Sequence, residues 1–325
     1  MSNQKHEDIP ITISFISGGI AGAVSRTVVS PFERVKILKQ VEIKNDGMSN
    51  SANISTLIKR MYQNEGIKGL FRGNGMNCIR VFPYMAVQYL TFETFKNYIL
   101  NYENARNTKD GSTVISQLTN VQRLVDGALS GGLSCLVTYP LDLVKTRLSI
   151  QTTLNNKNEI NKLKHPGMVE LLTNTYKNEG GIRGLYKGLF PTLLGIVPYV
   201  ALNFQIYEDL KELYLNHYHI NEPSSFIKLT MGAVSGGIAQ CIIYPFDLLR
   251  RRFQVISMNN GSLGIHYTGV VDALLQIGKK EGFKGYYKGL TANLFKVVPS
   301  TAVQWLTYEL CVEYFFLKQD ALRAF

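Results

Sequence analysis

Pro31-Phe32-Glu33-Arg34-Val35-Lys36 decides the fold, because the stretch returns twice. It comes back as Pro140-Leu141-Asp142-Leu143-Val144-Lys145 and as Pro245-Phe246-Asp247-Leu248-Leu249-Arg250. Three evenly spaced copies in a chain of 325 residues mean three repeats of one unit of roughly a hundred residues. Upstream of each proline, at the same offsets, stands a pair of glycines: Gly18 and Gly22, Gly127 and Gly131, Gly232 and Gly236. A Gly-x-x-x-Gly pair lets helix backbones approach closely, and three in fixed register predict three packed helices. In the first copy the apolar run Ser14 to Ser30 reads as a membrane-embedded helix that Pro31 kinks. Continued through residue 40 it would be about 40 Å long, enough to cross a ~30 Å hydrocarbon core with tilt.

Downstream a second signature repeats. It runs from Glu65-Gly66 to Phe71-Arg72-Gly73, from Glu179-Gly180 to Tyr186-Lys187-Gly188, and from Glu281-Gly282 to Tyr287-Lys288-Gly289, with one extra residue in the middle copy. Short amphipathic helices precede it, as at Ile54 to Asn64 and Val270 to Lys280. They are too short and polar to span. A second apolar segment follows in each copy, aligned through Pro83, Pro198 and Pro299. Ten residues later come Glu93, Glu208 and Glu309, each after an aromatic residue. Three further on stand Lys96 and Lys211, but Val312 in the third copy.

Each unit therefore reads as kinked span, surface helix, span. The predicted fold is an all-α membrane protein of six helices in three tandem repeats: a tail at 1–13, then 14–101, 119–216 and 226–318. An even number of spans puts both termini on one side. The loops inside the repeats carry the bases, among them Lys59, Arg72, Lys162, Lys164, Lys187, Arg251 and Lys288, and the connections between repeats carry fewer. That asymmetry assigns the two sets of loops to opposite faces.

Composition agrees. A mean hydropathy of −0.02 excludes a bundle of uniformly greasy spans but permits amphipathic spans around a wet cavity. A net charge of +11 points to an acidic partner. Cys78, Cys135, Cys241 and Cys311 stand singly in apolar stretches, which predicts reduced, buried thiols rather than disulfides or a zinc site. The first dozen residues read as neither a secretory signal nor an Arg-rich transit peptide. No nucleophile–base set, metal-ligand spacing or phosphate-binding glycine loop is present, so neither catalytic nor metal residues are assigned.

A charge inside a membrane is expensive unless paired or wetted. Three acids and three bases at one depth on three helices can close a ring of bridges: Glu33 to Lys145, Asp142 to Arg250, Asp247 to Lys36. A wetted bridge of this kind contributes about 1 kcal/mol or less, enough to close a gate and weak enough to open one. Glu93, Glu208 and Glu309 with only Lys96 and Lys211 make a second, weaker ring, and alternating access follows if one ring is broken while the other is closed.

Structural residues repeat, whereas residues that touch an asymmetric solute need not. Three before the even-helix prolines stand Arg80, Gly195 and Lys296: two cations and a missing side chain. Five before the odd-helix prolines stand Arg26, Cys135 and Gln240. Five after the even prolines stand Gln88, Asn203 and Gln304, which either line a water path or join helices. Ile196 and Tyr199 add an apolar face and a π surface on which a flat ring can lie. Arg26, Arg80 and Lys296 suit phosphate or sulfate oxygens.

The two repeated signatures, over roughly Ser14 to Phe316, resemble the mitochondrial carrier family. The resemblance implies solute exchange across the mitochondrial inner membrane by a monomer with a three-fold pseudosymmetric six-helix bundle, its termini toward the intermembrane space. It also implies that the two charge rings are the matrix and cytoplasmic gates. The residue four after each base would brace a bridge, which matches Gln40 and Gln254 but not Ser149. Cardiolipin would bind at Gly73, Gly188 and Gly289. The Gly195-Ile196 pair is similar to that of carriers of adenine nucleotides, although Arg250-Arg251-Arg252 is followed by Phe253-Gln254 and not by the three methionines of ADP/ATP exchangers. The stretches Ser25–Lys36, Gly195–Phe204 and Leu294–Val303 are most similar to fungal carriers of adenosine 5′-phosphosulfate, with 3′-phosphoadenosine 5′-phosphosulfate as a companion solute. Carriers of coenzyme A and adenosine 3′,5′-diphosphate, or of ATP-Mg and phosphate, are the alternative. From a different class, a helical-repeat scaffold binding anionic partners has to be weighed. Its repeats run about 20–50 residues, so it fits the spacing poorly, and nucleic acid is not an expected partner.

Overall fold

A computed structural model describes residues 11–41, 53–109, 118–154, 167–218, 223–256 and 267–323. Every element among them is helical. The first repeat holds α1 (Ile11–Val28), α2 (Ser30–Val41), α3 (Ile54–Leu70) and α4 (Asn74–Lys109). The second holds α5 (Asn120–Leu154), α6 (Met168–Asn178), the short α7 (Ile182–Leu185) and α8 (Leu189–Tyr218). The third holds α9 (Ser225–Val255), α10 (Val270–Glu281), a 3-10 turn at Phe283–Tyr287, and α11 (Leu290–Arg323). Lys162 and Lys164 lie outside the described residues.

The expected kink appears in the first copy, where α1 and α2 meet at 63° around Val29. In the other copies Pro140 and Pro245 sit inside continuous helices. The segments Asn120–Ile150, Leu189–Tyr218 and Ile227–Val255 are long and apolar enough to cross a membrane, and the bent pair makes a fourth if taken as one span. α4 and α11, at 36 and 34 residues, have the length but not the apolarity. Charged residues such as Arg80, Glu93, Lys96 and Lys296 occupy them, so their place among six spans rests on the repeat register. Large apolar side chains stand exposed along these helices, including Leu133 and Val137 on α5, Val197 on α8, and Ile238 and Ile242 on α9. Such continuous exposed apolar faces suit a lipid environment.

The chain forms two compact units. One comprises residues 1–82, 141–174 and 289–325, the other 83–140 and 175–288. In the first unit α1 packs on α11 and α2 on α3. Val35 of α2, Met61 of α3 and Ala292 of α11 form a buried cluster. Met76, Val144, Leu148 and Leu171 form another. In the second unit α8 packs on α9, and Leu248 and Leu249 of α9 meet Ala273 and Ile277 of α10. Val35, Val144 and Leu249, four after each odd-helix proline, are fully buried. The apolar position inside each signature thus seats the surface helix of its own repeat, removing roughly 1.5–3 kcal/mol of apolar surface per side chain from water.

The second signature ends each surface helix and begins each even helix. Gly66, Gly181 and Gly282 have φ of 67°, 69° and 69°, a region L side chains rarely enter. Gly73, Gly188 and Gly289 have φ of 85°, 86° and 86°. A Cβ on Gly73 would meet the Ser149 hydroxyl at 2.7 Å and the Lys145 carbonyl at 3.0 Å. On Gly188 it would meet the Tyr139 hydroxyl at 2.7 Å and the Arg250 carbonyl at 3.0 Å. Close packing therefore accounts for Gly73 and Gly188 without a ligand. The Gly-x-x-x-Gly pairs are less uniform than expected. A Cβ on Gly22 would lie 3.2 Å from Val81, and one on Gly236 would lie 3.6 Å from Tyr199 and Asn203, but at Gly127, Gly131 and Gly232 it would meet nothing within 4 Å. Close approach thus needs only some of the six. The cysteines form no disulfide, as expected, but only Cys135 is buried; the others are half-buried.

The glutamate of the second signature clamps a base in every repeat. Glu65 binds Arg34 at 2.7 Å, Glu179 binds Lys187 at 3.0 Å, and Glu281 binds both Arg252 and Lys288 at 2.7 Å. Arg34 is 1% exposed and also donates to the carbonyls of Gly69 and Ser149, so its guanidinium is well satisfied. Burial pushes the Glu281 carboxyl up, but the hydrogen bonds and charges of Arg252 and Lys288 outweigh it and hold the group below its ordinary value. A depressed folded-state pKa contributes stability that is full above the unfolded value, begins to fall below it, and is lost as pH drops through the lower folded value. Glu281→Gln is expected to destabilise by about 3 kcal/mol, the low end for breaking a buried pair. The wild-type advantage over this variant in thermal unfolding should be full at neutral pH and shrink as pH drops through about 4.3, the usual glutamate value.

Candidate functional site

Glu33 sits one turn into α2, and Lys145 lies on α5 five residues past Pro140. Lys145 donates to Glu33 at 2.5 Å, with the two side chains 7% and 14% exposed. This is the first of the three cyclic pairings expected from the sequence. The other two, Asp142–Arg250 and Asp247–Lys36, each take one residue from either unit and stay expectations. Asn77, at the start of α4, joins the bridge from the side. Its amide oxygen accepts from Lys145 at 3.0 Å and from Arg26 at 3.2 Å, and its amide nitrogen donates to Glu33 at 3.5 Å. Lys296 of α11 stands 3.9 Å from Glu33. One carboxylate and one amide therefore gather three cations from three helices.

Arg80, expected at the solute-contact level, already has a protein partner. It donates to Asp142 at 2.6 Å, and Asp142 is 1% exposed. The two cations of the expected contact level thus engage two acids of the expected matrix ring: Arg80 with Asp142, and Lys296 with Glu33. Helix geometry brings this about. Arg80 is two turns above the Gly73 break and Asp142 is two residues past Pro140, so both face the same crossing. In an apolar setting a guanidinium next to a carboxylate pairs with it.

In the second unit α8 and α9 enclose a cavity of 170 Å³. Gly195, Ile196 and Tyr199 line it from α8, and Gln240, Ile243 and Phe246 from α9, with Asp247 and Arg250 at one end. The three residues singled out for a flat ring are thus together. A Cβ on Gly195 would make ordinary van der Waals contact with Ile243 and Phe246, at 3.4 Å from each. Asn203 accepts a 2.8 Å hydrogen bond from Ser235, so it joins α8 to α9, one of the two roles left open. Gln88 is half-buried and Gln304 exposed. Neither side chain forms a hydrogen bond among the described residues.

Gln40 and Gln254 are buried. Gln254 donates to the Tyr139 hydroxyl at 3.2 Å and accepts from Arg251 at 2.9 Å. Lys36 is buried as well. At the opposite ends of the helices Glu93 pairs with Lys96 at 3.4 Å within α4 itself, each about a third exposed. Glu208 and Lys211 form no ion pair among the described residues, Glu309 is exposed, and Val312 is 8% exposed.

Two repeated positions escaped the sequence reading. Asn77, Thr192 and Asn293 stand six residues before Pro83, Pro198 and Pro299, are polar in every copy, and are 3%, 5% and 4% exposed. Ser30, Tyr139 and Tyr244 immediately precede the odd-helix prolines and carry a hydroxyl in every copy. These hydroxyls donate to the carbonyls of Leu70 (3.5 Å), Lys187 (2.8 Å) and Lys288 (2.8 Å). Tyr139 and Tyr244 also stack on Tyr186 and Tyr287, with centroids 5.9 and 6.2 Å apart. The signal was in the overlay: both positions keep a hydrogen-bonding type while their size changes.

The family model described as "Mitochondrial carrier protein" matches residues 7–103, 116–218 and 221–319. The chain is 57% identical over 303 residues to an uncharacterized mitochondrial carrier of Saccharomyces cerevisiae, covering 91% of this chain and 90% of that one. It is 38% identical over 312 residues to a mitochondrial adenine nucleotide transporter of Arabidopsis thaliana, covering 91% and 85%. It is 35% identical over 298 residues to a mitochondrial coenzyme A transporter of Xenopus laevis, covering 91% and 84%.

Asn77 ties Arg26 to the Glu33–Lys145 bridge, so Asn77→Ala should leave buried charged groups short of a partner. A loss of about 1–3 kcal/mol is expected, seen as a lower unfolding temperature in detergent. An unchanged temperature would contradict the hub assignment.

Proposed function

Because the chain belongs to the mitochondrial carrier family, whose members are transporters and not enzymes, we propose that it exchanges adenine-bearing anions across the mitochondrial inner membrane, with adenosine 5′-phosphosulfate and its 3′-phosphorylated form favoured. The observation that carries this reading is the cavity lined by Gly195, Ile196 and Tyr199. Its 170 Å³ is well below the ~300–1,000 Å³ of a pocket for a whole drug-sized ligand, and it fits one flat ring. Gly195 leaves room at the wall, Ile196 supplies an apolar face and Tyr199 a stacking surface. Repeat register, three residues before Pro83, Pro198 and Pro299, assigns Arg80 and Lys296 to the same solute, and Arg26 adds a third cation.

The ion pairs supply a mechanism. Before solute arrives, Arg80 and Lys296 are neutralised by Asp142 and Glu33. A phosphate or sulfate group competes for the same cations, bidentately on Arg80 and as a point charge on Lys296. Asp142 and Glu33 then lose part of their neutralisation, the matrix ring weakens, and the solute itself lowers the barrier to opening. The opposite ring, with its exposed intrahelical Glu93–Lys96 pair and Val312 in place of a base, is the weaker cytoplasmic gate. Gln40 and Gln254 brace the matrix side. The protein works as a monomer with termini toward the intermembrane space, and cardiolipin seats beside Gly73, Gly188 and Gly289.

Coenzyme A is the second reading. A relative bears that name, and coenzyme A also carries an adenosine phosphate. A competition panel in reconstituted liposomes decides: adenosine 5′-phosphosulfate should inhibit exchange more strongly than ADP, ATP-Mg or coenzyme A. Lys296→Ala should reduce uptake at least tenfold without loss of fold, and Arg80→Lys, which keeps the charge but not the fork, should reduce it less than Arg80→Ala. Strongest inhibition by coenzyme A would transfer the assignment, and inhibition by none of the four would end it.

A further inference from the structure

Gln240 has no role in the reading above, yet it faces the same cavity. It stands five residues before Pro245, at the level where the other repeats carry Arg26 and Cys135, so symmetry does not demand it. Its neighbours on that wall are apolar: Ile243 one turn along α9 and Phe246 two turns along. The polar residues beside it are engaged elsewhere. Thr192 donates to the Gly188 carbonyl at 2.7 Å, and Asp247 and Arg250 have interactions of their own. The Gln240 amide forms no hydrogen bond among the described residues. A half-buried amide beside an apolar slot, opposite a stacking tyrosine, is a donor and an acceptor held ready for a ligand's edge.

We propose that Gln240 reads the edge of the adenine base, an inference that rests on the adenine assignment above and deepens it. An amide presents one acceptor and one donor side by side. Adenine offers the complement along its N6–N7 edge: the N6 amine donates to Oε1, and Nε2 donates to N7. Hypoxanthine and guanine present O6 and N7 there, two acceptors, so the amide satisfies one and sets its own oxygen against the other. A bidentate match of this type discriminates by about tenfold or more. Stacking on Tyr199 and Ile196 fixes the plane of the ring but accepts any purine, so the amide makes the selection.

The test uses the full-length protein in liposomes and three probes that differ only in the base: ADP, inosine 5′-diphosphate and 7-deazaadenosine 5′-diphosphate, each competing for exchange. The wild type should bind ADP about tenfold or more tightly than either analogue. Gln240→Leu should weaken ADP more than either analogue, so that the three bind about equally, a change of selectivity that a merely structural defect does not produce. A variant that keeps the wild-type selectivity overturns the inference while the adenine assignment stands. Equal affinity of the wild type for ADP and its 7-deaza analogue overturns it without any variant. A wild type indifferent to all three overturns the adenine assignment and this inference with it.

Discussion

A carboxylate held among apolar helices has to be neutralised, and the first unit is organised around that requirement at Glu33. Lys145 meets it at 2.5 Å, Asn77 at 3.5 Å and Lys296 at 3.9 Å. Each comes from a different helix, so neutralising one charge also fixes the relation of α2, α5, α4 and α11. Asp142 is served by Arg80 at 2.6 Å in the same way. Pairs of this kind contribute little net stability when set against their desolvation, yet they are costly to leave half-made. In the proposed mechanism, a solute anion that offers the cations a new partner acts on the helices through the acids it displaces.

The periphery around the surface helices is built on a different balance. There the clamps are meant to stay shut. Val35, Val144 and Leu249 are fully buried under the surface helices, and Glu65, Glu179 and Glu281 hold bases from their own repeats. The hydroxyls of Ser30, Tyr139 and Tyr244 fasten the odd helices to the second signature just where proline removes a backbone donor. These glutamate clamps each lie inside one repeat, whereas the Glu33–Lys145 and Arg80–Asp142 bridges run between repeats.

Much of this was legible in the sequence, and the reasons differ by residue. Periodic prolines and glycines gave the repeats, because a kink or a positive φ tolerates few substitutes. Arg80 and Lys296 stood out by breaking the repeat, but their partners did not: which acid a cation meets depends on how helices cross, and spacing along one helix does not carry that. Asn77 shares its position with Thr192 and Asn293, a polar level visible in the sequence, but its partners depend on how the helices cross. The Gly-x-x-x-Gly pairs were over-read, since sequence spacing marks where helices can approach and not where they do. α4 was placed as a span by the repeat register, although its charged residues leave it short of the apolarity of the other spans.

The central claim is that the solute anion and the ring carboxylates compete for the same cations, and the affinity of Asp142→Asn for its transported anion tests it most directly. Asparagine keeps the shape of the side chain and removes the competitor for Arg80, so the account predicts tighter binding of the anion, alongside a less stable protein in the absence of solute. Unchanged or weaker binding would mean that Arg80 serves the helix contact alone, and would contradict the account.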